Sequence, residues 1–138
     1  MTVDLDIMID LSEENVGRLV RVMESLGYVP RVPVPPAELV SREKREEWIR
    51  EKGAVVFTFL DPTNPLKHVD IFLSNPTDFA EAYAQRQLIP LGETAISIVS
   101  LHTLIKMKEA AGRPRDLEDV RHLKMIRALR EKGGPGGH

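Results

Sequence analysis

The sequence predicts a mixed α/β (α+β) domain, and three observations carry that expectation. Residues 2–10 alternate apolar and acidic side chains, the period-2 signature of a strand. Residues 54–60 form a short continuous apolar run, followed by the turn-forming sequence Asp61-Pro62-Thr63-Asn64-Pro65 and by a further strand pattern over 67–73. Between and after these, apolar residues recur with helical spacing at Val16, Leu19, Val20, Met23 and Leu26, and again at Leu101, Leu104 and Ile105.

In the first stretch Val3, Leu5, Ile7 and Ile9 fall on one strand face and Asp4, Asp6 and Asp10 on the other, because successive side chains of a strand point in opposite directions. Ser12-Glu13-Glu14 then reads as an N-cap with acids in the first helical turn, and Gly27 as the stop of that helix. Residues 28–36 contain Pro30, Pro33, Pro35 and Pro36 and are expected as extended loop. A strongly charged helix over 38–52 follows, anchored by Trp48 and Ile49 and ended by Gly53. The run 54–60 is expected as a central strand, paired antiparallel with 67–73 as a hairpin. Beyond it the pattern predicts a short helix over 79–84, two short strands over 87–91 and 94–99 around Gly92, and a helix over 100–111 ended by Gly112 and Pro114. A last helix covers 116–131. The expected organisation is one domain over 1–132 with a flexible, glycine-rich tail over 133–138.

Length and composition narrow the function classes. A chain of 138 residues suffices for one domain with a real core. A formal net charge of −2 gives no global basic field for nucleic acid. The chain has no cysteine, which removes disulfides, thiolate zinc sites and thiol nucleophiles together. The acidic, alternating start does not read as a signal peptide, and no stretch approaches the ~20 apolar residues of a membrane span, so a cytoplasmic setting without membrane contact is expected. No glycine-rich dinucleotide or phosphate-loop sequence occurs.

Three constellations can carry chemistry. Asp4 and Asp6 share a strand face about 7 Å apart, and Asp70 sits in a second strand pattern, His68-Val69-Asp70-Ile71. Carboxylates gathered together repel unless a cation neutralises them, and hard oxygen ligands suit Mg²⁺ or Mn²⁺. The bland alternative is a solvated acidic edge. Lys108 interrupts the apolar stripe of its helix, where pattern predicts an apolar residue; it either contacts a phosphate or carboxylate or extends its ammonium to solvent. Arg113, Asp116 and Asp119 form the third group, with Asp116 expected as the N-cap of the last helix or as a partner that orients Lys108 or Arg113.

Taken together, Thr2-Val3-Asp4-Leu5-Asp6-Ile7, Val69-Asp70-Ile71 and the stretch from Leu104 through Lys108, Ala111, Arg113, Asp116 and Asp119 to Val120 resemble the polymerase-β-like nucleotidyltransferase superfamily, in its minimal, abortive-infection-toxin-like branch. The last stretch is similar to that branch's Lys-x-x-Ala-x-Arg-x-x-Asp-x-x-Asp signature. The resemblance implies a nucleotidyltransferase palm, a small mixed, mainly antiparallel sheet flanked by helices. It implies Mg²⁺- or Mn²⁺-dependent transfer of a nucleoside monophosphate from NTP to a hydroxyl of tRNA or protein, in a toxin–antitoxin setting with an antitoxin or second subunit as partner. Asp4, Asp6 and Asp70 would then be metal ligands and Asp70 would help remove the acceptor proton. Lys108 would act catalytically on the triphosphate, with Arg113, Asp116 and Asp119 completing its substrate-binding corner.

The family also carries a Gly-Gly or Gly-Ser turn about a dozen residues before its Asp-x-Asp and an arginine where Met1 stands; neither is present here, and Gly133-Gly134 lies in the tail. The expectation is either a start at an internal methionine or a minimal protein without the donor clamp. Little or no nucleotide transfer is expected, which favours a non-catalytic module of this fold that binds nucleotide, metal or a partner protein. A purely structural interaction domain would need neither the three carboxylates nor the misplaced lysine.

Overall fold

The computed structural model describes residues 3–133, with side chains from Leu5 onward. The tail expected to be flexible lies outside the described residues, apart from Gly133. The architecture is mixed α+β: β1 (Val3–Ile7), α1 (Glu13–Ser25), β2 (Val29–Pro30), a 3-10 helix (Pro36–Val40), α2 (Arg42–Lys52), β3 (Val56–Asp61), β4 (Asn64–Phe72), α3 (Phe79–Ala84), β5 (Gln87–Leu91), β6 (Thr94–Ile98), α4 (Leu101–Ala111) and α5 (Pro114–Lys132). The described chain divides into two compact units, one ending at Asn75 and one beginning at Pro76. Among the described residues no helix is long and apolar enough to cross a membrane.

The first unit is built on a four-stranded sheet of order β1-β4-β3-β2. β3 and β4 form the expected antiparallel hairpin, β2 adds antiparallel to β3, and β1 adds parallel to β4. The hairpin follows from the turn at 61–65, where the Asp61 carboxylate accepts from both the backbone N–H and the hydroxyl of Thr63. These bonds hold the Asp61 carboxyl below the usual aspartate range.

One sheet face carries Phe57, Phe59, Ile71 and the partly buried Ile7 and Val69. Val16, Val20 and Met23 of α1, Leu39 of the 3-10 helix and Trp48 and Ile49 of α2 pack into the same cluster. Trp48 stacks on Phe57 at 5.6 Å, and Phe57 contacts Phe59. Leu5, expected on this apolar face, is 54% exposed, because β1 is an edge strand and the core covers only its second half.

The helices begin where short polar side chains can accept from the first-turn amides. Ser12 caps α1 and Ser41 caps α2. The charged helix therefore starts at Arg42, after a separate 3-10 helix, rather than at 38. Gly53 ends it with φ at 61°, a left-handed conformation that costs glycine nothing.

In the second unit α4 and α5 form a helical hairpin, and β5 pairs with β6 through a two-residue turn at Gly92, also left-handed. Both of these strands are exposed along their whole length. α3 carries a stack in which Phe79 lies on Tyr83 and the Arg86 guanidinium sits 3.8 Å over the Tyr83 ring.

Candidate functional site

The parallel register of β1 on β4 decides where the acidic residues go. Asp6 stands opposite Asp70, and Asp4 opposite His68. Partners in a parallel pair share a face, so Asp6 and Asp70 sit side by side on strands about 4.8 Å apart, on the face away from Phe57, Phe59 and Ile71. The side chain of Asp4 lies outside the described residues, and only its register position is fixed. Asp6 is exposed and Asp70 half-buried. Thr58, opposite Asp70 on β3, donates its hydroxyl to Asp70 Oδ1 at 2.6 Å. Asp70 Oδ2 has no partner among the described residues. Among those residues no group of three or more His, Cys, Asp or Glu side chains is gathered closely enough to hold a metal ion.

His68 lies in the middle of β4. Its Nε2 faces the Pro65 carbonyl, and Arg31 Nη2 lies against the ring, 3.2 Å from Nδ1 and 3.3 Å from Nε2.

The second unit brings Lys108, Arg113, Asp116 and Asp119 together. Lys108 Nζ donates to Asp119 Oδ2 at 2.9 Å and lies 3.8 Å from Asp116 Oδ1. Arg113 holds both oxygens of Asp116, through Nε to Oδ2 and through Nη2 to Oδ1 at 3.2 Å. Asp116 is only 2% exposed. The Arg113 hydrogen bond, reinforced by the charges of Arg113 and Lys108, keeps its carboxyl below the usual aspartate range in spite of the opposing effect of burial. Asp116 is not the N-cap of α5. Arg113 occupies that position, Pro114 is the first helical residue, and Asp116, one turn in, accepts from the Arg113 backbone N–H at 3.3 Å. Lys108 is 31% exposed: its stem lies along the hairpin while its ammonium reaches the two aspartates.

No family model, curated protein or solved structure matches the chain.

Two residues of the first unit escaped the sequence reading. Arg45 looked like one more charge on a solvated helix, yet it is 3% exposed. Its guanidinium donates to the carbonyls of Leu39 at 2.7 Å, Val40 at 2.9 Å and Leu11 at 2.9 Å, tying the 3-10 helix and the entry to α1 onto α2. Desolvation lowers its pKa from the usual arginine value without threatening its charge. Arg31 was hidden in the proline-rich loop. Its backbone N–H donates to the Thr58 carbonyl at 2.9 Å, which continues the β2–β3 ladder by one residue. The alternation Val29-Pro30-Arg31 was the available signal, and three prolines nearby masked it.

Proposed function

We propose that the four-stranded sheet is a nucleotidyltransferase palm and that its open face is a divalent-cation site for nucleotidyl transfer. The observation that carries this reading is the alignment of Asp6 with Asp70 on adjacent parallel strands, opposite the packed face. Hard carboxylate oxygens on an accessible surface fit Mg²⁺ or Mn²⁺. Asp6 and Asp70 would hold the cation, with Asp4 next along the same strand. A bound cation would supply neutralisation of phosphate charge and orientation of the reacting groups. The chain's own contribution is positional: Thr58 fixes Asp70 by one oxygen and leaves the other for ligation or for a proton of the acceptor hydroxyl.

Lys108 enters by resemblance as the triphosphate contact. Within its own unit it bonds Asp119 and stands beside the Arg113-Asp116 pair. The same reading places the protein in the cytoplasm, with an NTP donor and a tRNA or protein acceptor, in a toxin–antitoxin pairing.

The test is thermal unfolding with and without Mn²⁺ for the native chain, Asp6→Asn and Asp70→Asn, together with labelled-NTP transfer to a mixed RNA and protein pool. A melting shift in the native chain that both variants lose supports the cation site. Equal shifts in all three place the cation elsewhere and remove the reading. A shift without transfer favours the non-catalytic binding module of the same fold.

A further inference from the structure

We infer that Arg31, positioned by His68, binds a phosphate group of the ligand on this sheet face; the inference rests on the reading of that face as a phosphoryl-transfer surface. The register puts Arg31, Thr58, Asp70 and Asp6 in one row across four strands. With neighbouring strands about 4.8 Å apart, the backbone of Arg31 is roughly 10 Å from that of Asp70 and roughly 14 Å from that of Asp6. The row thus runs from a cation at the β2 edge to carboxylates at the β1 edge.

The guanidinium is not spent on those carboxylates. Arg31 Nη2 lies against the His68 ring, 3.2 Å from Nδ1 and 3.3 Å from Nε2, and His68 Nε2 faces the Pro65 carbonyl. The Nε and Nη1 donors of Arg31 meet no partner among the described residues, and the side chain is exposed. An arginine restrained through one nitrogen, with the rest of its planar fork open, suits a phosphate oxygen pair. The spacing suits a ligand whose phosphate meets Arg31 while its reacting end lies over Asp70. A carboxylate ligand would meet Arg31 equally well, but it has no use for the acidic end of the row. A phosphate ester coordinated by a cation there uses both ends.

The phosphate could belong to a nucleoside triphosphate or to a nucleic-acid acceptor, and the experiment separates them. Binding of ATP with Mn²⁺, and of a single-stranded 12-residue oligoribonucleotide with Mn²⁺, is measured for the native chain, Arg31→Ala and Arg31→Lys, alongside the Mn²⁺ melting shift. Arg31→Ala is expected to keep the native Mn²⁺ shift and to bind at least one of the two ligands about tenfold more weakly, the loss of one charge-assisted contact. Arg31→Lys should recover part of that loss, since a point charge replaces the fork. Weakening of ATP alone assigns the phosphate to the donor; weakening of the oligonucleotide alone assigns it to the acceptor. An intact Mn²⁺ shift with both affinities unchanged in Arg31→Ala overturns the inference and leaves the cation site standing, as does failure of the native chain to bind either ligand. Absence of the Mn²⁺ shift in the native chain overturns the function reading itself, and this inference with it.

Discussion

Asp70 and Asp116 are both aspartates that a metal- or phosphate-binding motif would claim, and the two units treat them in opposite ways. Asp116 is 2% exposed, both its oxygens are held by Arg113, and Lys108 stands 3.8 Å away. Asp70 is half-buried, and its described partner is a neutral hydroxyl on one oxygen. A carboxylate whose lone pairs are taken by cations is a structural member, strongly placed and chemically spent. A carboxylate fixed through one oxygen by a neutral donor keeps its charge and a free ligand position. The contrast separates residues that support a site from residues that face a ligand, although the family resemblance draws both into one proposed site.

The largest effect that sharpens this comparison comes from a buried charge held by backbone carbonyls. Arg45 donates to three backbone carbonyls, and the nearby charges of Glu13 and Glu46 favour its charged form without hydrogen-bonding it among the described residues. Arg45→Met keeps much of the stem and removes the donors, so the carbonyls of Leu39, Val40 and Leu11 lose their shared partner. The expected loss is about 3 kcal/mol, offset in part by water entering from the open cleft beside it, which Asp10, Ser12, Arg42 and Glu46 line. Chemical denaturation should show it as a lower midpoint with an unchanged slope. A midpoint equal to the native one would mean that the three carbonyls are satisfied without the guanidinium.

Asp116→Ala should come next. It leaves Arg113 and Lys108 without the carboxylate between them, but Arg113 is 63% exposed and can rehydrate, so the loss is smaller than for Arg45→Met. The pH dependence carries a sign that checks the same point. The Asp116 carboxyl sits below its usual range when folded, so its stabilisation is complete above the unfolded aspartate value near pH 4 and is lost as pH falls through the lower folded value. Native protein should therefore lose melting temperature more steeply below about pH 4 than Asp116→Asn does. Parallel acid limbs for the two would show that Asp116 does not supply the difference. Asp61, held down by Thr63, contributes with the same sign and is unaffected by that substitution.

The two aspartates also show what the sequence could reveal. β1 and the β3–β4 hairpin were legible because period-2 alternation, a continuous apolar run and the Asp-Pro-Thr-Asn-Pro turn are local signals, and so were α1, α3 and α4, whose caps are Ser12, Asp78 and Ser100; β2 was not, since its stretch was expected as loop. The pairing of Asp6 with Asp70 could be proposed but not read, since the parallel register of β1 on β4 depends on contacts more than sixty residues apart. The role of Asp116 was misread through a signal that was present: Pro114 fits the first helical position and moves the cap back to Arg113. Arg45 was illegible because a buried arginine held by carbonyls has no sequence pattern distinct from a solvated one. Arg31 was illegible because the surrounding prolines masked the short alternation Val29-Pro30-Arg31.

Asp119→Asn is expected to change little. The residue is 42% exposed, and its pair with Lys108 lies at the surface, where such a pair contributes about 0.2–1 kcal/mol. Added salt should erase most of that difference. A loss as large as that of Asp116→Ala would make Asp119 a second structural carboxylate.

Asp70→Asn should have the smallest effect on the cation-free protein, and that smallness is the sharpest test of the comparison. Asparagine keeps an acceptor for the Thr58 hydroxyl, so the 2.6 Å bond has a replacement of the same shape. It also removes one negative charge from beside Asp6, which relieves repulsion across the β1–β4 pair. The two changes together leave the unfolding free energy within about 0.5 kcal/mol of native, in either direction, when no divalent cation is present. If Asp70 were instead held as Asp116 is, its substitution would lower the melting temperature as Asp116→Ala does, and the distinction between a spent and an available carboxylate would fail. A near-native melt in chelator together with a lost Mn²⁺ shift is the pattern that only a ligand-facing residue gives. Its charge is then needed by something the folded chain does not itself supply.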